Sequence, residues 1–231
     1  SGRDATAMAS RRTTRSPSSS FVPSVGLLVW TLVAGAVLVA GALHYEPPPQ
    51  PSAVQGFSPL PGPAAHRTVP PADPDVPSLP PAEPLRLRIP AINVNAPLTK
   101  LHLDATGALE PPPPDDPNLA GWYSEGTAPG SVGTAVTTGH VDVRTGNPGV
   151  FFGLGALSKG NTIEIDRVDR RTAVFTVEAV EVYDKEHFPS RMVYGGSRRP
   201  ELRVITCGGA YTKGTGYQGN VVVYATLTAV G

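Results

Sequence analysis

Residues 161–183 read NTIEIDRVDRRTAVFTVEAVEVY, and this stretch decides the fold. It is rich in valine, isoleucine and threonine, whose branched side chains suit a pleated, half-buried surface. It reads as two strands of a hairpin, with Asp169–Arg171 near the turn. The same texture recurs on both sides. LRLRIPAINVNAPL (85–98) alternates and stops at proline, and GTAVTTGHV (133–141), LRVITCGG (202–209) and NVVVYATLTAV (220–230) are further strand-like runs. No stretch of this region carries a long helical period, and GVFFGLGALSKG (149–160) leaves room only for a short helix or turn near Phe152–Leu157. The expectation is a mostly-β closed sheet of six to eight strands, a barrel or a sandwich.

Working towards the N-terminus, the texture changes twice. Residues 47–84 hold 14 prolines. Proline lacks a backbone donor and fixes φ, so this segment favours extended polyproline II geometry and reads as a semi-rigid spacer. Fully extended, it reaches on the order of 100 Å. Before it, Gly26–Leu43 is a run of apolar and small residues with one threonine, and no formal charge falls between Ser16 and Tyr45. About 20 such residues span a bilayer as a helix. Arg11, Arg12 and Arg15 precede the run and Glu46 follows it, which places the N-terminus in the cytoplasm and the remainder outside. The rival reading is a cleaved signal peptide, with Ala40–Ala42 as a small-residue cleavage site. Either reading exports the rest of the chain. Met8 follows SGRDATA, which reads as a misplaced start. The expected organisation is a basic cytoplasmic tail over 1–20, a single-pass transmembrane anchor over 21–45, a proline-rich extracellular linker over 46–84 and a folded domain over 85–231.

Composition narrows the function. Lysine plus arginine equals aspartate plus glutamate at 19 each, so the basic excess of a nucleic-acid binder is missing. A single cysteine excludes an intramolecular disulfide, a multi-cysteine zinc site and a cysteine-ligated iron–sulfur cluster within one chain. Asp115 and Asp116 form a weak pair with Glu125 apart from them, too few oxygens for calcium. The glycines at 214 and 216 lack the strand–loop–helix setting of a nucleotide site. No metal or cofactor is expected.

The lone Cys207 ends a strand-like run and precedes Gly208 and Gly209. Cysteine is often a small buried hydrophobe, and that reading stays open beside a catalytic one. Two glycines allow unusual backbone geometry and would present the sulfur at a sheet rim. A nucleophilic cysteine needs a depressed pKa or a base, most often histidine. His44 and His66 fall in the anchor edge and the linker, and His102 and His187 lack a strand-end setting. His140, after Gly139 at the end of an apolar run, is the best partner. Asp142 shares its face if the strand continues, and either orients the imidazole or is an ordinary turn aspartate.

Together GTAVTTGHVD, FFGLGALSKGNTIEI, ELRVITCGG and YQGNVVVYATL, in this order, resemble the sortases, and among them the class F group of actinobacteria. The resemblance covers about residues 85–231. It implies an eight-stranded β-barrel with short helices and a cysteine transpeptidase. Such an enzyme cleaves a sorting signal, commonly LPxTG-like, in a secreted protein and passes the acyl fragment to an amine of a cell-wall precursor or another protein. It implies Cys207 as nucleophile and His140 as acid–base residue, with Thr206 and Asp142 in support. An anchored domain on a stalk suits this family.

The family's usual arginine near the start of the last strand is missing. Gln218 takes the matching position and Asn220 follows. Either can donate an amide N–H, and Arg144, Arg191 and Lys213 are other sources of a donor or cation. The alternatives are a slower transpeptidase, a slow cysteine peptidase, and a non-catalytic peptide-binding envelope protein on the same barrel. The connection Val182–Arg203 is implied as one groove wall, while Phe188, Met192 and Tyr194 equally suit the closing of a barrel end. Trp122 and Tyr123 suit either the active face or the core.

Overall fold

The computed structural model describes residues 47–57, 76–144 and 146–231. The tail over 1–20 and the anchor over 21–45 lie outside the described residues, among which no helix is long and apolar enough to cross a membrane. Eight strands form in chain order: β1 (Pro84–Ile89), β2 (Val94–Leu101), β3 (Ala120–Tyr123), β4 (Gly133–Gly139), β5 (Thr162–Arg167), β6 (Thr172–Asp184), β7 (Pro200–Thr212) and β8 (Gly216–Val230). Among the described residues one short helix, α1 (Ser190–Tyr194), interrupts the β6–β7 connection, and 3-10 turns cover Pro90–Ile92 and Leu154–Ala156. The strands close into a barrel in the order β1-β2-β3-β4-β7-β8-β6-β5, so the sandwich alternative falls.

The 161–183 stretch folds as β5 and β6, with Ile163 opposite Phe175 and Ile165 opposite Ala173. These four side chains are fully buried. They join Leu87, Ile89, Leu154, Leu157, Leu202, Val204, Val221 and Val223 inside the barrel. Period-two alternation turns every second residue of β4, β7 and β8 outward. That outer face is apolar too. Val136, Ile205, Val222 and Tyr224 form a second cluster with Ala179 and Val193, covered by Phe188 and Met192 of the β6–β7 connection. Phe188 and Met192 therefore cover the barrel wall rather than close its end.

At the base, the wholly buried guanidinium of Arg167 ties three segments together. It donates to the carbonyls of Pro129 (2.5 Å) and Pro80 (2.6 Å) and to the Asp169 carboxylate. A buried cation is tolerable only when so fully paired.

Part of the proline-rich stretch packs on the barrel. β6 outruns β5, which leaves its edge open beyond Val177. Residues 55–57 cover that edge: Val180 N–H donates to the Gln55 carbonyl (2.9 Å) and Phe57 N–H to Glu181 Oε1 (2.7 Å). The Gln55 amide donates to the carbonyls of Gly155 and Leu157, and the Phe57 ring meets Tyr224 edge-on at 4.9 Å. Covering an open strand edge satisfies its backbone groups and blocks pairing with another chain. Pro48–Gly231 accordingly form one compact unit.

Candidate active site

The parallel pairing of β4 with β7 sets Thr138 beside Ile205, which brings His140, just past the end of β4, level with Cys207. The antiparallel pairing of β7 with β8 sets Cys207 opposite Asn220. Outward residues of these strands run Val136, Thr138, His140; Arg203, Ile205, Cys207; and Tyr224, Val222, Asn220. Three chemically active side chains thus stand in a row on three neighbouring strands, all on the outer face. Cross-strand neighbours have Cβ atoms about 5 Å apart.

Local chemistry explains why the row forms. Thr206 points inward, and its buried hydroxyl donates to the Gly139 carbonyl (2.8 Å), so the residues before Cys207 and His140 are tied directly. A side chain on Gly208 would run into Val221, with Cβ only 2.5 Å from its methyl carbon. Gly209 takes φ +76, a left-handed conformation that favours glycine, and the ladder shifts register between Gly208 and Tyr211. This bulge ends regular pairing just past the cysteine, as bulges beside active sites commonly do. The Gly209 N–H is held by Gln50 Oε1 at 2.8 Å. Cys207 itself is exposed. The buried-hydrophobe reading of it is excluded.

His140 is half-buried, and its Nε2 lies 2.7 Å from the carbonyl oxygen of Pro112 in the β2–β3 loop. Asp142 is placed differently from the reading that puts it on the imidazole's face. β4 ends at Gly139, and Asp142 accepts a hydrogen bond from the Tyr217 hydroxyl (2.9 Å). It clamps the β4–β5 loop to the start of β8. The Gln218 amide nitrogen donates to Thr215 Oγ1 (2.9 Å) and the Gly216 carbonyl (2.8 Å), so its donors are spent within its own loop. Asn220, by contrast, lines the groove described next.

A groove of about 760 Å³ runs along the outer wall, with Asn220 among its lining residues and Cys207 and His140 outside that lining. Thr134, Val136, Thr138 and Ile205 form its floor, with Phe188, Ser190 and Tyr194 on one side and Leu103, Leu109, Pro111 and Tyr123 on the other. The Thr134 hydroxyl donates to the Gly195 carbonyl (2.7 Å), which holds the end of α1 against β4. Tyr194 is about half exposed (47%), and the partial desolvation of its ring against the wall pushes the phenol above its ordinary pKa. Lys185 is the one cation among the described lining residues. Arg144 and Arg191 are exposed and do not line the groove. Trp122 is buried, whereas Tyr123 faces the groove. A second hollow of about 610 Å³, lined by Glu83, Lys100, Trp122 and Ser131, lies towards the start of β4, away from Cys207.

Asp184, Glu186 and His187 offer ligand atoms within 4.8 Å of one another, all exposed. The Asp184 carboxylate already accepts the Glu186 N–H, and a few surface carboxylates alone define no cation site. Glu125 pairs instead with His102 Nδ1 at 3.0 Å.

Residues 87–228 match the family model described as Sortase domain. The chain belongs to the sortase family. Membership brings transpeptidase or hydrolase chemistry on cell-wall sorting signals. Solved structures similar to this sortase include sortase A of Listeria monocytogenes (16% identity, 64% of this chain and 88% of that one, TM-score 0.47). A sortase D5 transpeptidase of Clostridium perfringens (16%, 64% and 79%, 0.48) and SrtA of Actinomyces oris (20%, 68% and 89%, 0.47) are further examples. No curated protein matches the chain.

Nothing local in the chain marks the Pro112 carbonyl, the β2–β3 wall of the groove or Gln50 as parts of the site. The only local feature at the first is the run of four prolines at 111–114.

Proposed function

We propose that this sortase is a class F-type cysteine transpeptidase acting on an LPxTG-like sorting signal in exported proteins. The motif resemblance supports the class, and the observation that carries the chemistry is the exposed Cys207 thiol level with His140, next to strand residues Thr138, Ile205 and Asn220 that line an apolar groove. The peptide lies in the groove with its apolar side chains against Val136, Ile205 and Phe188. The Cys207 thiolate attacks the scissile carbonyl and forms a C–S bond. As the tetrahedral intermediate collapses, the C–N bond breaks and His140 gives its proton to the leaving amine. An amine from a cell-wall precursor or another protein then attacks the thioester. His140 takes its proton, and Cys207 leaves as thiolate.

The oxyanion needs a donor, and Asn220 meets that need better than Gln218. It stands opposite Cys207 with no side-chain partner among the described residues, while the Gln218 donors are engaged. Thr206 and Asp142 act in support, the first by tying the two strand ends, the second through Tyr217. The barrel works outside the cell, held to the membrane by an anchor over 21–45.

The test presents the full chain with a library of sorting-signal peptides and amine acceptors and looks by mass spectrometry for a Cys207-linked acyl-enzyme and ligated product. Ligation that disappears in Cys207→Ala is expected. Acyl-enzyme without ligation favours the slow peptidase, and neither species in a folded sample favours the peptide-binding alternative.

A further inference from the structure

We propose that the Pro112 carbonyl is a positioning group for His140, held ready by the stiff proline run of the β2–β3 loop. The inference rests on the reading of His140 as the acid–base residue. Of the four prolines at 111–114, Pro112 alone is buried, while its neighbours on both sides are exposed. The loop is otherwise a surface feature, and this one residue turns inward to place its carbonyl oxygen 2.7 Å from His140 Nε2.

A carbonyl oxygen only accepts, so Nε2 carries a proton whenever the contact is made. In the neutral ring this fixes the Nε2–H tautomer and leaves Nδ1 as the basic nitrogen. Nδ1 is then the atom that exchanges protons with the leaving and entering amines. When Nδ1 is protonated, Nε2–H still donates, and more strongly, because the donor is charged. The contact therefore persists through both protonation states and keeps the ring from turning between them.

The proline run suits this task. Proline has no N–H, so a run of prolines offers its own carbonyls no backbone donor to compete for. Prolines also have little freedom to lose, so the oxygen is placed at low entropic cost. Both ends of the loop are fastened. Glu110 N–H donates to the His102 carbonyl, and the Asn118 amide to the Asn95 carbonyl (3.1 Å). Leu109 and Pro111, just before Pro112, line the groove, so the same loop touches the peptide site and the imidazole. A peptide seated against that wall presses on the segment that orients the acid–base residue.

The test replaces Pro112, Pro113 and Pro114 together by glycine in the full chain and leaves Pro111 in the groove wall untouched. Two measurements are made. Nitrogen-15 spectra of labelled histidine, with His140 assigned through His140→Gln, read the tautomer. Steady-state kinetics on the best peptide of the library read kcat and KM separately. Expected are a clean Nε2–H tautomer in the parent, a mixture in the variant, and kcat lower by about fivefold to tenfold with KM nearly unchanged, the worth of one hydrogen bond. The single variant Pro112→Ala, with Pro113 and Pro114 in place, should keep most of the parent kcat, because a carbonyl remains at position 112 and the rest of the rod is intact. An unchanged tautomer in the triple variant overturns the proposal, as does an unchanged kcat. A rise in kcat overturns it too, since the contact would then be a lock. If the parent turns over no peptide, the transpeptidase reading fails and takes the catalytic use of the contact with it, while the parent spectrum still shows whether the contact exists.

Discussion

Replacing Asn220 by alanine tests whether a neutral amide carries the electrostatic role at this site. Asn220 faces Cys207 across the β7–β8 ladder and lines the groove, which makes its amide the candidate donor to an oxyanion formed at Cys207. Its side chain makes no hydrogen bond within the described residues, and a half-buried side chain of that kind contributes under about 1 kcal/mol to stability. Any large effect of the substitution is then an effect on reaction. Loss of one donor from an oxyanion site costs about 10²–10³ in kcat, or about 3–4 kcal/mol. Acylation of Asn220→Ala should fall by that factor, with little change in peptide KM, because the donor acts on charge that develops only in the transition state. Gln218→Ala is the matched control: its amide nitrogen already serves Thr215 and Gly216, and acylation should fall by no more than about threefold through loosening of the loop. The assay follows acyl-enzyme formation by rapid-quench mass spectrometry, with thermal melts to show that both variants are folded. The reasoning is refuted if Gln218→Ala loses as much as Asn220→Ala, or if Asn220→Ala stays within about fivefold of the parent.

Three further predictions concern stability. Gln55→Ala leaves the carbonyls of Gly155 and Leu157 without their donor and should cost about 2 kcal/mol in urea unfolding of the barrel; no change would show that residues 48–57 do not hold the domain. Arg167→Met strands the carbonyls of Pro80 and Pro129 and the Asp169 carboxylate, and should lower Tm by roughly 10 °C, corresponding to about 3 kcal/mol. The Arg167 hydrogen bond holds Asp169 below the usual carboxylate pKa, and for Glu201 burial pushes upward but the Arg203 hydrogen bond and charge prevail, so it too lies low. Carboxylates depressed in the folded state lend stability that is fully present above their unfolded values, about 3.9 for Asp and 4.3 for Glu, and lost as pH falls through the folded ones. Unfolding midpoints should therefore show no loss from these groups between pH 7 and about 5 and should fall below about 4; if Asp169→Asn and Glu201→Gln leave the acid decline unaltered, these two carboxylates are not its source.

Much of the architecture was legible because strand signals are local. β-branched alternation along 161–183 and 220–230, with turn residues between, requires no distant partner to be recognised, and it yielded the hairpin of β5 and β6 at its true turn. Cys207 and His140 were legible as strand-end residues, and their match to a family motif ranked them above the other histidines. The role of Asp142 misled for a local reason: a spacing of two implies one face only while the strand continues, and β4 stops at Gly139. The proline-rich stretch misled in another way. Proline excludes regular ladders but not docking, and Gln55 and Phe57, the residues that fasten it to β6, are ordinary in the sequence.

Local sequence was enough for a β-rich domain, for the hairpin within 161–183 and for naming Cys207 and His140 as the candidate pair. Only the folded chain shows that the closed sheet is a barrel and not a sandwich, that His140, Cys207 and Asn220 stand in one row, that Gln218 spends its donors in its own loop, and that Pro112 reaches the imidazole. The physical reason is range. Residue alternation and turn chemistry act over two to four residues and are written in order along the chain. Register between β4 and β7 joins segments 67 residues apart, Thr138 beside Ile205, and β8 is then laid against β7. It is set by burying both faces of those strands at once, a condition that no single stretch of sequence contains.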